Sequence, residues 1–125
     1  MVKVNKIRLD KKGMRTLLGP LETEALVILW KLEKSRVREI HRLLRKKRKV
    51  ALTSVAVILD RLHQKGIVGR TVESGLGGGH YLYYPKGSRQ QFEESVVENT
   101  VNKLINNFGA VAANYFYRRF SRRRP

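Results

Sequence analysis

Positively charged side chains between residues 36 and 49 are the groups in this sequence best suited to binding an anion. Lys and Arg bind phosphate oxygens through charge-assisted hydrogen bonds, and hydroxyl and imidazole groups add to such contacts. We therefore predict phosphate-binding groups in this segment and at three positions further along the chain. They are Arg36, Arg38, Arg42, Lys46, Lys47, Arg48, Lys49, Ser54, Arg70 and His80. The alternative is that this charged run is only a solvated surface.

The charge balance of the whole chain favours a polyanion as partner. Its 125 residues include 27 Lys and Arg against 10 Asp and Glu, a formal net charge of +17. A compact chain with this charge repels itself unless a polyanion such as DNA, RNA or an anionic membrane lies against it. The longest apolar run, Ala25–Trp30, is far too short to span a bilayer, and the N-terminus has no secretory pattern. We expect a cytoplasmic, nucleoid-associated protein with nucleic acid, not membrane, as its partner.

A second group of side chains is suited to hydrogen bonding with base edges. An apolar stripe from Val55 to Leu62 predicts a helix over residues 52–65 with one face buried. The opposite face of such a helix fits the major groove of B-DNA. The residues predicted to contact bases are Thr53, Ala56, Val57, Asp60, Arg61 and Gln64. The carboxylate of Asp60 is repelled by DNA unless it accepts from a cytosine amine or pairs with a neighbouring Arg.

Enzymatic chemistry is not indicated. His41, His63 and His80 are scattered, and no spacing of a nucleophile and a base is present. Because the chain has no Cys, disulfides and thiolate metal sites are excluded. The glycine cluster at residues 75–79 joins two predicted strands and does not open a helix, which excludes a nucleotide-binding loop. We predict no enzyme activity, metal, cofactor or small-molecule ligand.

Three helical patterns and a hairpin position these side chains. Pro20 begins a first helix that ends near residues 33–34, and Ser35 is predicted to cap a second helix. Gly66 follows the third helix, where a left-handed cap is favoured. Strands are predicted at residues 67–73 and 80–84, and the glycines between them form the tip of the hairpin. This order predicts a mainly α fold with a small β-hairpin, a winged helix-turn-helix domain at residues 20–87.

The C-terminal region predicts helices that pair with a second copy of the chain. A capping box at Ser88 and Gln91 opens a fourth helix, Gly109 interrupts it, and a fifth helix follows, so that residues 88–120 form a dimerisation region. The apolar seam has the spacing of a helix packed on another helix. The predicted interface residues are Val97, Val101, Leu104, Phe108, Tyr115, Phe116 and Phe120. The alternative is that these helices fold back on their own head.

The two ends of the chain are predicted to add further positive charge. Residues 1–19 form a basic arm, and residues 121–125 a basic tail. For the arm, a solvated terminus is the alternative, because chain ends usually fray.

The ordered set of motifs resembles the penicillinase-repressor family (the BlaI/MecI/CopY group). Leu21-Glu22-Thr23-Glu24 with Val27 and Leu29-Trp30 is similar to its first-helix motif, and Val37-Arg38-Glu39-Ile40 to its second. Thr53-Ser54-Val55, Arg61-Leu62 and Lys65-Gly66-Ile67-Val68 are similar to its recognition helix and first wing strand. Tyr81, Tyr83-Tyr84-Pro85 and Ser88-Arg89 are similar to the second wing strand and the start of helix four.

This resemblance implies a homodimeric repressor that binds a palindromic operator in double-stranded DNA through two winged heads. The sequence departs from the family in two respects. Copper sensing in one branch uses C-terminal cysteines, which this chain lacks. In another branch a protease cuts helix four near an Asn-Phe pair; here Asn99 is followed by Thr100, which argues against proteolytic induction.

Two other nucleic-acid functions compete with the repressor interpretation. A chromatin-like architectural protein that coats DNA with little sequence preference is favoured by the high charge and the mild polarity of the predicted groove face. An RNA-binding protein needs exposed aromatic side chains on which bases stack. The tyrosines at positions 81, 83 and 84 are better explained as members of a strand packed on the core, which favours DNA over RNA.

Overall fold

A computed structural model describes residues 18–75 and 79–121. The basic arm, except for Leu18 and Gly19, the centre of the predicted hairpin tip and the tail beyond Ser121 lie outside the described residues. The elements in chain order are α1 (Pro20–Leu32), β1 (Ser35–Arg36), α2 (Val37–Leu44), α3 (Leu52–Gln64), β2 (Val68–Glu73), β3 (His80–Pro85), α4 (Arg89–Phe108) and α5 (Ala110–Ser121). The predicted winged-helix order of three helices and a hairpin is confirmed.

One core holds the head of the molecule together. Each of the first three helices contributes one apolar face, and the start of β2 and the middle of β3 close the cluster. The buried apolar residues are Leu18, Ala25, Leu26, Leu29, Ile40, Leu44, Val55, Ile58, Leu59, Leu62, Ile67, Val68, Tyr83 and Phe92. Burial of each large side chain contributes about 1.5–3 kcal/mol. Leu18, which we assigned to the arm, is fully buried in this core.

The sheet has a strand that the sequence did not reveal. Ser35 and Arg36 form β1, which pairs antiparallel with β3 and gives the order β1-β3-β2. The predicted helix cap at Ser35 is wrong, because Arg36 occupies the position before α2. Ser35 is instead buried opposite Tyr83, and its hydroxyl donates to the Arg36 carbonyl at 2.9 Å.

The tyrosines of β3 do not all pack on the core, as we expected them to. Tyr83 is buried, whereas Tyr81 and Tyr84 are 44% and 38% exposed. The Tyr84 ring covers Gly69, where an added Cβ would lie 2.4 Å from the ring Cζ atom. Gly69 is therefore needed for the close approach of this ring, and the argument against RNA based on a fully packed strand fails for Tyr81 and Tyr84.

We predict that Leu59, a core residue of α3, contributes strongly to the free energy of unfolding. Leu59→Ala removes a fully buried side chain and should lower the free energy of unfolding by about 2–5 kcal/mol. Val57→Ala on the same helix removes methyl groups from a side chain that is 50% exposed and should change it by less than about 0.5 kcal/mol. Denaturant unfolding of both variants measures the difference. Equal effects of the two substitutions would contradict the described orientation of α3.

Candidate nucleic-acid interface

The outer face of α3 is open to solvent. Because Val55, Ile58, Leu59 and Leu62 point into the core, the helix presents its other side outward. All six residues predicted to contact bases lie on that side. Thr53, Val57, Arg61 and Gln64 are exposed, and Ala56 and Asp60 are half-buried.

The end of α3 places the wing beside this face. Gly66 adopts φ 77°, the left-handed conformation predicted for it, and Ile67 N–H donates to the Leu62 carbonyl at 3.0 Å. The Lys65 ammonium donates to Glu22 of α1 at 3.0 Å, which ties the same end of α3 to the first helix. β2 therefore starts directly after α3, and its side chains lie next to the last turns of the helix.

Asp60 was predicted either to accept from a cytosine amine or to pair with a neighbouring Arg, and in the structure it pairs with an Arg. Its Oδ1 accepts from Arg70 Nη1 of β2 at 2.8 Å, and its Oδ2 accepts from Gln64 Nε2 at 2.7 Å. Arg70 also donates to the Tyr83 hydroxyl at 3.3 Å and lies 4.1 Å from the Tyr81 ring centroid. The hydrogen bonds to Asp60 and Tyr83 raise the pKa of Arg70 above its ordinary value.

Three of the predicted phosphate-binding cations are paired with acids. Arg70 binds Asp60, Arg36 of β1 binds Glu73 of β2, and Arg48 lies 2.5 Å from a Glu24 carboxylate oxygen. Their positive charges are thus partly neutralised within the head. Each pair joins residues distant in sequence, so the sequence suggested an Arg partner for Asp60 but did not show which cation pairs with which acid.

The remaining Lys and Arg residues of this set have no ion pair with any described residue. Within residues 18–75 and 79–121, no carboxylate lies within ion-pair distance of Arg38, Arg42, Lys46, Lys47 or Lys49. Arg38, Arg42 and Lys46 surround an open hollow of about 670 Å³ between α2 and the start of α3. This arrangement leaves concentrated positive charge beside the first turn of α3.

Two residues that line this hollow, Arg45 and His41, were not among the phosphate-binding residues predicted from the sequence. Arg45 continues the stripe of Arg38 and Arg42 at helical spacing, a signal that was present but not used. His41 lies between them, and its Nε2 donates to the Val50 carbonyl at 2.8 Å. That bond fixes the loop from α2 to α3 and so the position at which α3 begins.

The first turn of α3 lies at the edge of the hollow and is uncapped. Ala51 precedes the helix without a side-chain hydrogen bond to it, and Leu52 lines the hollow. Uncapped N–H groups at a helix N-terminus attract anions. Ser54, predicted to contact phosphate, is exposed in this turn, whereas His80 is exposed on the wing, opposite Glu73.

The helices after the wing leave the α3 face uncovered. α4 is anchored to the head by Phe92, which packs on Trp30 with ring centroids 6.0 Å apart, and the Trp30 indole N–H donates to the Gly87 carbonyl at 3.0 Å. No residue of α5 is buried. Among the seven predicted interface residues, Val97, Phe108, Tyr115 and Phe120 are exposed and the other three are half-buried.

Other classes of site find no support in the described part of the chain. No cluster of three or more His, Asp or Glu side chains suited to a metal ion occurs among residues 18–75 and 79–121. In the same residues, no helix combines the length and the apolar character needed to cross a bilayer.

Comparison with solved structures supports the fold. A PadR family transcription regulator from hypervirulent Clostridium difficile R20291 is 17% identical over 72% of this chain and 98% of its own, with a TM-score of 0.50. Stf76 from the Sulfolobus islandicus plasmid-virus pSSVx is 20% identical over 62% of this chain and 95% of its own, with a TM-score of 0.46. At this identity the PadR likeness shows a shared fold only.

Comparison with family models identifies the family. No curated protein sequence matches significantly. The family model described as penicillinase repressor matches residues 18–121, which include every helix and strand described above. The chain therefore belongs to the penicillinase repressor family of DNA-binding transcription regulators.

Proposed function

We propose that this protein is a repressor that recognises a specific palindromic operator in double-stranded DNA as a homodimer. The observation that carries the proposal is the outer face of α3, which is largely polar, uncovered and flanked by cations that have no acidic partner among the described residues. A helix presented in this way enters the major groove, where its side chains meet base edges. Family membership supports the same type of partner.

In this proposal the hollow beside α3 holds the DNA backbone. Arg38, Arg42 and Lys46, together with the open N-terminus of α3, supply the positive charge that a phosphate needs. Arg45 joins this set. Arg36, Arg48 and Arg70, which are already paired with acids, serve mainly to hold the head in shape.

The apolar surface of α4 and α5 supports a dimer. Side chains such as Phe108 and Phe120 are about 60% exposed in one chain. Contiguous apolar surface of this kind marks a protein interaction site. A second copy is the partner that supplies a matching seam, since a two-fold dimer uses the same patch on both subunits.

Selection from random duplexes, followed by footprinting, tests the proposed function. We expect one preferred sequence with two protected half-sites roughly one helical turn, ~34 Å, apart. Affinity for it should exceed that for unrelated DNA by a factor of about 10³ or more. Uniform protection with a steep salt dependence and no preferred sequence would instead favour an architectural protein that coats DNA.

We predict that Arg61 and Arg42 contribute to binding in different ways. Arg61→Ala should cost about 1–3 kcal/mol on the selected operator and relax the preference at one base pair, because its side chain is exposed on the outer face of α3. Arg42→Ala, at the hollow, should weaken binding on every sequence and reduce the salt slope by about 1. Titrations on operator and unrelated duplexes measure both. An equal loss for Arg61→Ala on all duplexes would assign it to phosphate.

We also predict that one added charge on the α4 seam dissociates the dimer. Val97 is 62% exposed in the single chain, so Val97→Asp should leave the monomer folded while placing a buried charge in the interface. Light scattering should show a monomer. Asn102→Asp adds the same charge to an exposed position away from the seam and serves as the control, which should remain dimeric. A dimeric Val97→Asp variant would place the interface elsewhere.

A further inference from the structure

A carboxylate stands in the middle of the proposed groove face. Asp60 has 43% of its side chain exposed, and both of its oxygens accept hydrogen bonds, one from Arg70 and one from Gln64. A negative charge facing DNA is unfavourable unless it is neutralised, and Arg70 neutralises it. Its contact with Gln64 has a separate consequence for the chemistry of the face.

The contact fixes which way the Gln64 side-chain amide points. An ionised carboxylate has no hydrogen to donate, so only the amide nitrogen of Gln64 can face it at 2.7 Å. The reversed amide would bring two acceptor oxygens together. Gln64 Oε1 is therefore directed away from Asp60, and one N–H of the amide stays available.

Asp60 is itself held in place from the wing. Arg70 donates to it at 2.8 Å and is fixed by the Tyr83 hydroxyl at 3.3 Å and by the Tyr81 ring at 4.1 Å. Tyr83 lies opposite Arg70 in the sheet register and is buried. A continuous chain of contacts thus runs from the core of the head through the wing to the amide of Gln64.

We propose that Asp60 is a positioning residue that makes Gln64 specific for a base that presents an exocyclic amine in the major groove, above all adenine. This inference rests on the proposed function. In the major groove adenine offers an amine donor beside an acceptor, which match Oε1 and the remaining N–H of the fixed amide. Cytosine offers only the amine donor. Guanine offers two acceptors, and thymine an acceptor and a methyl group, so both leave Gln64 Oε1 without a donor.

The Asp60→Asn variant tests this role. The Asn side chain has the same shape, but Arg70 can only donate and therefore holds its oxygen, which leaves the Asn NH2 group facing Gln64. The reversed Gln64 amide, with Oε1 toward residue 60, is then favoured. Duplexes are selected with the wild type, Asp60→Asn, Gln64→Ala and the double variant. The base pair contacted by Gln64 is the one whose preference is lost in Gln64→Ala. There the wild type should favour adenine over guanine by about tenfold or more, and Asp60→Asn should reduce this ratio to one or below, with preferences elsewhere retained.

The double variant separates positioning from a purely structural effect. In the Gln64→Ala background, Asp60→Asn should change no base preference, because the amide that it orients is gone. Nitrogen-edited NMR of the free protein supplies a readout independent of DNA. The Gln64 side-chain amide protons should shift on Asp60→Asn, whereas those of the exposed Gln90 should not.

The possible results distinguish the two proposals. A wild type without any preferred duplex overturns the proposed function and this inference with it. A preferred operator whose adenine-to-guanine ratio is unchanged by Asp60→Asn overturns the inference alone. An equal loss of affinity for all duplexes also overturns it, because Asp60 would then serve only to anchor the wing.

Discussion

The division of α3 into a buried and an open face is the constraint on which the rest of the structure depends. Four apolar residues, beginning at Val55 and ending at Leu62, fix the rotation of the helix about its axis. A rotation by one residue, about 100°, would expose part of this set and bury Asp60 or Arg61 without partners, at a cost of several kcal/mol. The same packing energy that stabilises the head therefore determines which side chains are presented outward.

The placement of the charged side chains is a second constraint on the surface around α3. A chain with 27 cations and 10 acids cannot neutralise itself, so the placement of its few acids is informative. Glu73, Glu24 and Asp60 neutralise cations that join separate elements of the head. The stripe of Arg38 and Arg42 on α2 and Arg45 at its C-terminal cap has no such neighbour among the described residues. Positive charge is thus concentrated beside the start of α3, where it both destabilises the free protein and attracts a polyanion.

Much of the architecture could be predicted from the sequence, because it depends on local signals. The apolar periodicity predicted the helices, Gly66 predicted the turn between α3 and the wing, and the Ser88 capping box predicted the start of α4. β1 could not be predicted, since a two-residue strand exists only through its pairing with β3. The roles of individual cations could not be predicted for a similar reason. Arg36 and Arg70 look the same as Arg38 in the sequence, and they differ only in the folded chain, where Arg36 pairs with Glu73 across the sheet and Arg70 pairs with Asp60 on α3.

The packing contact between the head and α4 links the α3 face, which is proposed to bind DNA, to the helices that are proposed to form the dimer. Phe92 is the single buried residue of α4, and the Trp30 indole bonded to Gly87 braces the preceding turn. Val96 adds a partly buried contact with the same core, and the other apolar side chains of α4 and α5 lie outside it. In the proposed dimer, this contact joins each head to the paired helices, so the separation of the two heads depends on how α4 and α5 pair. Recognition by α3 and spacing by α4 and α5 are then physically separable, because the first depends on packing within one chain and the second on packing between two.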